Sequence, residues 1–245
     1  MTKVAIDSHV HLHSIAGAME ALRIARDRLS RNGRTGVVML AERQGFDILN
    51  ALRDNLLATS ELESFWLDEE RTLLILAGSQ IISSEKLEIL ALATRAKLPD
   101  GLPAEQVIAE MTAADAIVVL PWGVGKWLGK RGALVDRLIA AARPGMLLLG
   151  DNGGRPGFWP VRQFKSGLSV LSGSDPLPLP GWPDGVAKLA SLIDADLSAD
   201  APAASLKRAL RDPAASIGRM GRLASPFRFI MDQTRLRLHG GRTVP

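Results

Sequence analysis

The sequence predicts an α/β domain in which parallel strands alternate with helices. Short apolar runs follow one another along the chain, separated by segments whose apolar residues recur at helical spacing, and this alternation is typical of βα units. The strand-like runs are rich in Leu, Val and Ile without polar alternation, as expected for parallel strands that are buried on both faces. With 245 residues, of which 47% are apolar, the chain is long enough for one barrel-sized domain with a buried core, and its length alone would also permit two small domains.

Six runs predict strands, and residues 87–92 are a candidate for a seventh. The six cover residues 4–7, 37–41, 73–77, 117–121, 146–150 and 169–172. Amphipathic stripes predict five helices, at residues 18–29, 48–56, 103–111, 134–139 and 186–193. Glycine and proline mark several helix ends, since Gly33 follows the first stripe and Pro103 opens the third.

The chain changes character near its C-terminal end, and we expect a barrel domain over residues 1–198 and a basic helical extension over residues 199–245 that packs on it. Residues 201–245 hold nine Lys or Arg and two Asp, a net charge of +7, whereas the first 200 residues carry −3. Residues 202–210 predict a short helix, and from Ile217 onward apolar residues again recur at helical spacing, which predicts a second one. We expect this apolar face to pack on the barrel or in a dimer while the arginines stay in solvent. Because the rest of the chain is acidic, we expect the extension not to bind DNA.

Composition excludes several classes of site. There is no cysteine, so disulfides and thiolate metal sites are absent, and a metal would need His, carboxylate or backbone ligands. The first residues lack the charged-then-apolar pattern of an export signal, and no apolar run approaches the ~20 residues of a membrane-spanning helix. We therefore expect a cytoplasmic protein without a membrane partner.

Histidines give the strongest functional signal. The chain has four, and three of them, His9, His11 and His13, fall within five residues. On a strand, residues two apart project from the same face, so His9 and His11 can share one cation at the carboxyl end of the first predicted strand. Asp7 lies on the same face, deeper in the domain.

The segment Asp7-Ser8-His9-Val10-His11 resembles the first strand of two families of metal-dependent hydrolases, the PHP (polymerase and histidinol phosphatase) domain family and the amidohydrolase superfamily. Later segments favour the PHP family, because their order and spacing are similar to its motifs. These segments are Ala77-Gly78-Ser79-Gln80-Ile81, Glu88-Ile89-Leu90-Ala91-Leu92, Val119-Leu120-Pro121-Trp122 and Ser172-Gly173-Ser174-Asp175. The resemblance implies a distorted (βα)7 TIM-like barrel over residues 3–195 and the activity of a metal-dependent phosphoesterase.

Several positions that hold metal ligands in the PHP family carry other residues here. They are Glu42-Arg43, Gln80, Glu88, Leu120 and Pro176 or Leu177. His9, His11 and Asp175 match, so the resemblance implies a single divalent ion, Zn²⁺, Mn²⁺ or Fe²⁺, held by these three residues. Glu42 or Glu88 would supply a further oxygen ligand. The amidohydrolase resemblance, carried by Gly173-Ser174-Asp175-Pro176, assigns the same three residues but needs two mid-barrel histidines that the chain lacks.

Two Gly-rich loops at strand ends are candidates for substrate contact. Residues 123–132 contain Lys126 and Lys130, whose charges, together with backbone N–H groups exposed by glycine, suit a phosphate. A loop with solvated lysines is an equal alternative for this segment.

The second loop, residues 151–160, supplies two further candidates. We predict Asp151 and Arg155 as catalytic residues beside Asp175, with Arg155 also binding substrate, because loops at this end of strands form the active site of barrels. Ordinary turn chemistry is the alternative for both.

These observations favour a metal-dependent hydrolase, a phosphoesterase of the PHP type with a reduced metal site. The expected substrate is a small phosphorylated or other anionic molecule, nucleic acid is not expected as a partner, and a homo-oligomer is compatible with the sequence. One alternative is a catalytically impaired PHP-like binding or regulatory protein, which the substituted ligand positions favour. The other is an amidohydrolase-type barrel hydrolase.

Overall fold

The strands of this protein form two mixed sheets. A computed structural model describes residues 2–239, in which seven strands form one sheet and five form the other. The strands are β1 (Thr2–Val10), β2 (Thr35–Leu40), β3 (Leu57–Ala58), β4 (Ser64–Trp66), β5 (Leu73–Leu76), β6 (Gly78–Ile82), β7 (Glu88–Leu92), β8 (Ile117–Pro121), β9 (Leu147–Asn152), β10 (Val170–Gly173), β11 (Leu189–Ala195) and β12 (Gly218–Gly221). The helices are α1 (Ile15–Leu29), α2 (Ile48–Leu52), α3 (Ala104–Ala113), α4 (Gly129–Ala141), α5 (Pro202–Arg211) and α6 (Pro226–His239).

Each sheet contains three strands that run parallel. The larger sheet has the order β12-β11-β1-β2-β5-β4-β3, and the smaller one has the order β10-β9-β8-β7-β6. β1, β2 and β5 are parallel, as are β8, β9 and β10, and all other neighbours are antiparallel. The fold is therefore mixed α/β.

The predicted seven-unit TIM-like barrel is wrong. β6 follows β5 after the single residue Ala77, and residues 83–87 alone join β6 to β7, so no crossover helix fits in either place. A parallel connection needs about a dozen residues, so β6 and β7 pair antiparallel. β7 and β8 also pair antiparallel, although the connection between them is long enough to contain α3. Among residues 2–239 the two sheets remain separate and do not close into a ring of hydrogen-bonded strands.

Most predicted elements are present, and two are of the wrong type. The six predicted strands are confirmed as β1, β2, β5, β8, β9 and β10, and the candidate at residues 87–92 is confirmed as β7. The predicted helix at residues 186–193 is wrong, because most of it belongs to β11, which pairs with β1 and β12. Eight residues are too few for apolar spacing to separate a helix from a buried strand, so sheet pairing decides. The expected helix after residue 217 is wrong in its first part, which is β12.

The protein has an inner core between the sheets and an outer core on each side. The inner core joins Ile6 and Met39 of the larger sheet to Leu90 and Val119 of the smaller one. Helix α1 covers the outer face of the larger sheet, and α3 and α4 cover that of the smaller sheet. Ser14 caps α1 by accepting a hydrogen bond from a backbone N–H.

Two seams join the sheets. At the first, β10 lies so close to β1 that a Cβ on Gly173 would be 2.5 Å from the Cβ of His9. At the second, Gly78 of β6 passes the Leu40 carbonyl of β2 too closely for any side chain. The seams bring the carboxyl end of β1 beside β6 and beside the residues that follow β10.

The C-terminal residues contact the body of the protein in several places. α5 packs into the inner core through Leu206 and Leu210. The C-terminal arm, which we define as residues 218–239, adds β12 to the edge of the larger sheet and continues as α6. Contrary to the expected inward apolar stripe, Phe227 and Ile230 are 76% and 64% exposed. The domain division at residue 198 stays a prediction.

Within residues 2–239, none of the helices has the length and hydrophobicity needed to cross a lipid bilayer.

Candidate metal centre

His9, His11 and Asp175 form a group at the carboxyl end of β1. The Nε2 atoms of His9 and His11 lie 3.0 Å apart, and Oδ1 of Asp175 lies 3.8 Å from each of them. Both histidines are buried, whereas the Asp175 side chain is 22% exposed and opens the group to solvent. In the part of the chain that the structure describes, no other set of three His, Asp or Glu side chains brings its ligand atoms as close together.

The donor atoms and their spacing fit one divalent cation. Around a tetrahedral Zn²⁺ with bonds of ~2.0–2.1 Å, neighbouring ligand atoms lie about 3.3 Å apart. The separations of 3.0 and 3.8 Å in this group bracket that value. Imidazole and carboxylate are also ligands of Mn²⁺ and Fe²⁺. Three protein ligands leave a coordination position for water or substrate, as in catalytic rather than structural sites.

The backbone of β1 and of the turn after β10 positions the three ligands. His9 lies within β1 and His11 just beyond it, and alternation along the extended chain puts both rings on one face. The Asp175 N–H donates to the His9 carbonyl at 2.8 Å. Asp175 has a φ of +46°, a left-handed conformation that non-glycine residues seldom adopt. Such conformations persist where the surroundings impose them and cluster at functional sites.

Asp7 anchors this turn to β1. It is completely buried and accepts hydrogen bonds from the N–H and hydroxyl of Ser174 at 2.8 and 2.5 Å, and from the Ala187 N–H at 2.8 Å. Burial raises the pKa of Asp7 to about 6, although these donors favour the carboxylate. Asp7 lies outside the group of ligand atoms and acts on it by fixing the turn that carries Asp175.

Burial and neighbouring charges set the protonation of the ligands. Burial lowers the pKa of His11 well below its usual range, and the His9 ring lowers it further, so His11 is neutral and able to ligate at neutral pH. Burial raises the pKa of Asp175, but His9 and His11 outweigh this effect and hold the pKa below its usual value. Lys126 and Arg43 lower the same pKa, which places two cationic side chains beside the site.

Two amide side chains complete the surroundings, and sequence reasoning assigned a role to neither. Gln80 Oε1 lies 3.3 Å from His9 Nε2, so Gln80 faces the site from β6. Asn152 Nδ2 donates to Asp175 Oδ2 at 2.8 Å and to the Trp122 carbonyl at 3.2 Å. The other oxygen of Asp175, Oδ1, therefore faces the histidines. The position of Gln80 in a PHP-like segment was a usable signal, whereas Asn152 had no motif to mark it.

The two candidate glutamates have other partners. Glu42 Oε1 accepts a hydrogen bond from the Leu49 N–H at 2.9 Å, and its Oε2 lies 3.6 Å from Lys97 Nζ. Glu88 is hydrogen-bonded to Lys126. Neither carboxylate belongs to the His9 group of ligand atoms, and their role as ligands stays a prediction.

Asp151 and Arg155 form a buried ion pair with each other. Arg155 Nε and Nη2 donate to the two Asp151 oxygens at 2.6 and 2.7 Å. Successive residues of β9 project to opposite faces, so Asn152 contacts Asp175 and Asp151 points away from it. Lys130 is exposed in the first turn of α4. The catalytic and substrate-binding roles of Asp151, Arg155, Lys126 and Lys130 stay predictions.

Asp175 opens into a cleft of about 470 Å³ between the body of the protein and the C-terminal arm. Gly153, Gly154 and the turn after Asp175 line the body side. Arg222, Arg228 and Arg235 line the arm side. The only exposed ligand therefore meets solvent in a cleft with a basic wall, which sequence reasoning did not predict.

Solved structures share this fold. PsfC from Pseudomonas syringae PB-5123 has a TM-score of 0.56 and 14% identity, over 97% of this chain and 99% of PsfC. The lesion-specific endonuclease PfuEndoQ from Pyrococcus furiosus has a TM-score of 0.61 and 13% identity over 90% of this chain, which spans 59% of PfuEndoQ. Endonuclease Q in complex with a 27-mer duplex substrate, with an abasic lesion at the active site, has a TM-score of 0.56 and 11% identity, over 96% of this chain and 67% of that one. No family model and no curated protein matches the sequence.

These neighbours have PHP-type or PHP-like folds, and at 11–14% identity the likeness shows the fold alone, so membership of the PHP family stays a prediction. The endonuclease Q complex also overturns the expectation against nucleic acid, because a protein of this fold holds a duplex substrate at its active site. That expectation relied on the net charge of the first 200 residues. Such an average does not register a local excess of cations beside the site. The related expectation that the basic extension does not bind DNA relied on the same average, and this likeness does not test it.

Proposed function

We propose that the protein is a metal-dependent phosphoesterase that acts on nucleic acid, with one divalent cation held by His9, His11 and Asp175. The observation that carries the proposal is that this buried ligand group opens, through Asp175, into a cleft with arginines on its far wall. The likeness of the fold to endonuclease Q supports the class of substrate.

The side chains around the group suit a phosphodiester. When bound, a divalent cation supplies Lewis acidity, which polarises a phosphoryl oxygen and lowers the pKa of water. Asn152 holds one oxygen of Asp175 so that the other faces the histidines. Lys126 and Arg43 bring positive charge beside Asp175, where it offsets the charge of a phosphate.

Substitution of the exposed ligand tests this proposal. In Asp175→Asn, the hydrolysis of bis(p-nitrophenyl) phosphate by the full chain with added Mn²⁺ is expected to fall at least ~100-fold, the upper end of what the loss of a residue that only supports a metal ligand costs. Wild-type protein treated with EDTA is expected to be equally inactive. The matched control is Asp54→Asn, which removes the same charge from an exposed carboxylate remote from the site and is expected to keep the wild-type rate. A metal-free wild type that is fully active would refute the proposal.

Gln80→Glu is expected to raise the number of bound ions from one to two and to increase the rate. Gln80 already faces His9 at 3.3 Å, and a carboxylate there can bridge two cations that together stabilise the attacking and leaving oxygens. Titration calorimetry with Mn²⁺ gives the stoichiometry. Gln106→Glu, on the exposed face of α3, adds the same charge elsewhere and is expected to leave it at one. If Gln80→Glu also binds a single ion at the wild-type rate, the site has no room for a second.

The amide at position 80 also favours a second candidate, a binding protein on the same fold that has lost its chemistry. In that case the wild type binds metal and nucleic acid but hydrolyses no phosphodiester. The wild-type rate in the Asp175→Asn experiment therefore separates the two candidates, since only the phosphoesterase hydrolyses bis(p-nitrophenyl) phosphate.

A further inference from the structure

The C-terminal arm is fixed against the body on two sides of the cleft. β12 pairs with β11 over Leu189–Leu192, and Gly221 has a φ of +92° where it passes the Lys188 carbonyl too closely for a side chain. Three residues later, the Ala224 N–H donates to the Arg155 carbonyl at 3.0 Å, and the Ala224 carbonyl accepts from the Gly157 N–H at 3.2 Å. Residues 222 and 223 therefore cross from one edge of the body to the other at a defined place.

Helix α6 turns a charged face towards the cleft and leaves apolar side chains in solvent, the opposite of a helix that covers a core. Arg228, Asp232 and Arg235 recur at helical spacing and line the cleft. Phe227 and Ile230, which a covering helix would turn inwards, are exposed instead. An apolar contact holds this orientation, since the Phe229 ring lies 6.4 Å from that of Trp159. The charged face is thus the one that the fold presents to the cleft.

Cations outnumber anions in this cleft, and part of the anionic charge is already compensated. Asp184 is paired with Arg28 at 2.5 Å and with Lys188 at 3.1 Å. Arg228 lies 3.5 Å from Asp232 and is 53% exposed, so this pair is weak. Within residues 2–239, Arg222 has no ion-pair partner. The arm therefore presents positive charge to the space into which Asp175 opens.

We propose that the C-terminal arm is the phosphate-binding wall of a nucleic-acid cleft. Arg222, Arg228 and Arg235 contact successive backbone phosphates of a DNA strand, next to the phosphate at the His9 group. The inference rests on the proposed function for the class of substrate. The arm would supply the surface that holds the DNA strand, which explains why its arginines line the cleft.

Binding of a short fluorescein-labelled DNA strand, followed by anisotropy in EDTA, tests this inference without hydrolysis. The double variant Arg222→Gln/Arg228→Gln is expected to bind about tenfold more weakly or worse, because each charge-assisted hydrogen bond to phosphate is a strong one. The slope of log affinity against log salt is expected to decrease by about 0.7 for each phosphate that is no longer neutralised. The matched control, Arg53→Gln/Arg208→Gln, removes two exposed arginines outside the cleft and is expected to retain the wild-type slope. Arg222→Lys/Arg228→Lys keeps the charge and is expected to retain most of the affinity.

Equal effects in the cleft variant and its control would overturn the inference, because binding would then depend on total charge alone. A wild type that hydrolyses bis(p-nitrophenyl) phosphate but binds no DNA would refute the inference and leave a phosphoesterase of another substrate class. A wild type that binds DNA through the arm and hydrolyses nothing would support the inference and refute the activity. The oligomeric state of each variant is measured by light scattering. If Arg222→Gln/Arg228→Gln loses a dimer that the wild type forms but still binds DNA, the inference is overturned and the arm contacts a second copy of the chain.

Discussion

His9→Ala and His11→Ala are each expected to abolish stoichiometric binding of Zn²⁺, with a loss in affinity of more than ~100-fold. Three protein ligands are the minimum of catalytic zinc sites, and each variant would leave two. Removal of even the outer partners of ligands typically costs 10–100-fold, so the loss of a ligand is expected to exceed that range. Isothermal titration of the metal-free full chain, without a histidine tag, measures the effect. The melting curves should show that both variants remain folded.

His13→Ala is the matched control, because it removes the third histidine of the same cluster. His13 Nε2 donates to the Pro176 carbonyl at 2.7 Å, and its ring lies against Trp182, so His13 is outside the ligand group. We expect it to retain Zn²⁺ affinity within about tenfold, the lower limit for a residue that supports a ligand indirectly. If His13→Ala reduced affinity as much as His9→Ala, the ligand set would need revision.

Gly173→Ala is expected to damage both stability and the metal site. The new Cβ would lie 2.5 Å from the Cβ and 2.6 Å from the backbone N of His9, so one of the two strands has to move. Overpacking of this kind costs ~1–3 kcal/mol, which for a chain of this size lowers the melting midpoint by several degrees. Because the atoms displaced belong to a ligand, Zn²⁺ affinity is expected to fall as well. Thermal denaturation and calorimetry measure the two effects.

Gly157→Ala is the matched control, because the same methyl group there meets only the Leu223 Cβ, at 4.0 Å. It is expected to change neither the melting midpoint nor the Zn²⁺ affinity. A Gly173→Ala protein with wild-type stability and Zn²⁺ affinity would show that the first seam is looser than the structure indicates.

The sequence was informative where a pattern is local. Alternation placed His9 and His11 on one face, and the resemblance to the PHP family identified Asp175 166 positions further on. Short-range signals also located α1 and the strands of both parallel groups. In each case the residues that decide the structure are close together in the chain or form a motif.

The rest depended on contacts between distant segments. Asp151 and Asn152 are neighbours at the end of β9, and both are buried, so burial alone does not show which of them faces Asp175. The apolar spacing at residues 186–193 suited a helix until pairing with β1 decided otherwise. The basic wall of the cleft arises because backbone pairing of β12 and Ala224 sets the direction of α6, and no charge pattern encodes that direction.

The anchoring of β1 has a consequence for how the chain is made. β2 is the first strand made after β1, but the other edge of β1 waits for β11, and Asp7 waits for Ser174 and Ala187, 167 and 180 residues later. At roughly 5–20 residues per second, that wait lasts on the order of ten seconds or more. During this time one edge of an apolar strand is unpaired, a state that invites wrong pairing and chaperone capture. The metal site needs the same late segment, so it forms only after Asp175 and the residues that anchor its turn have been made.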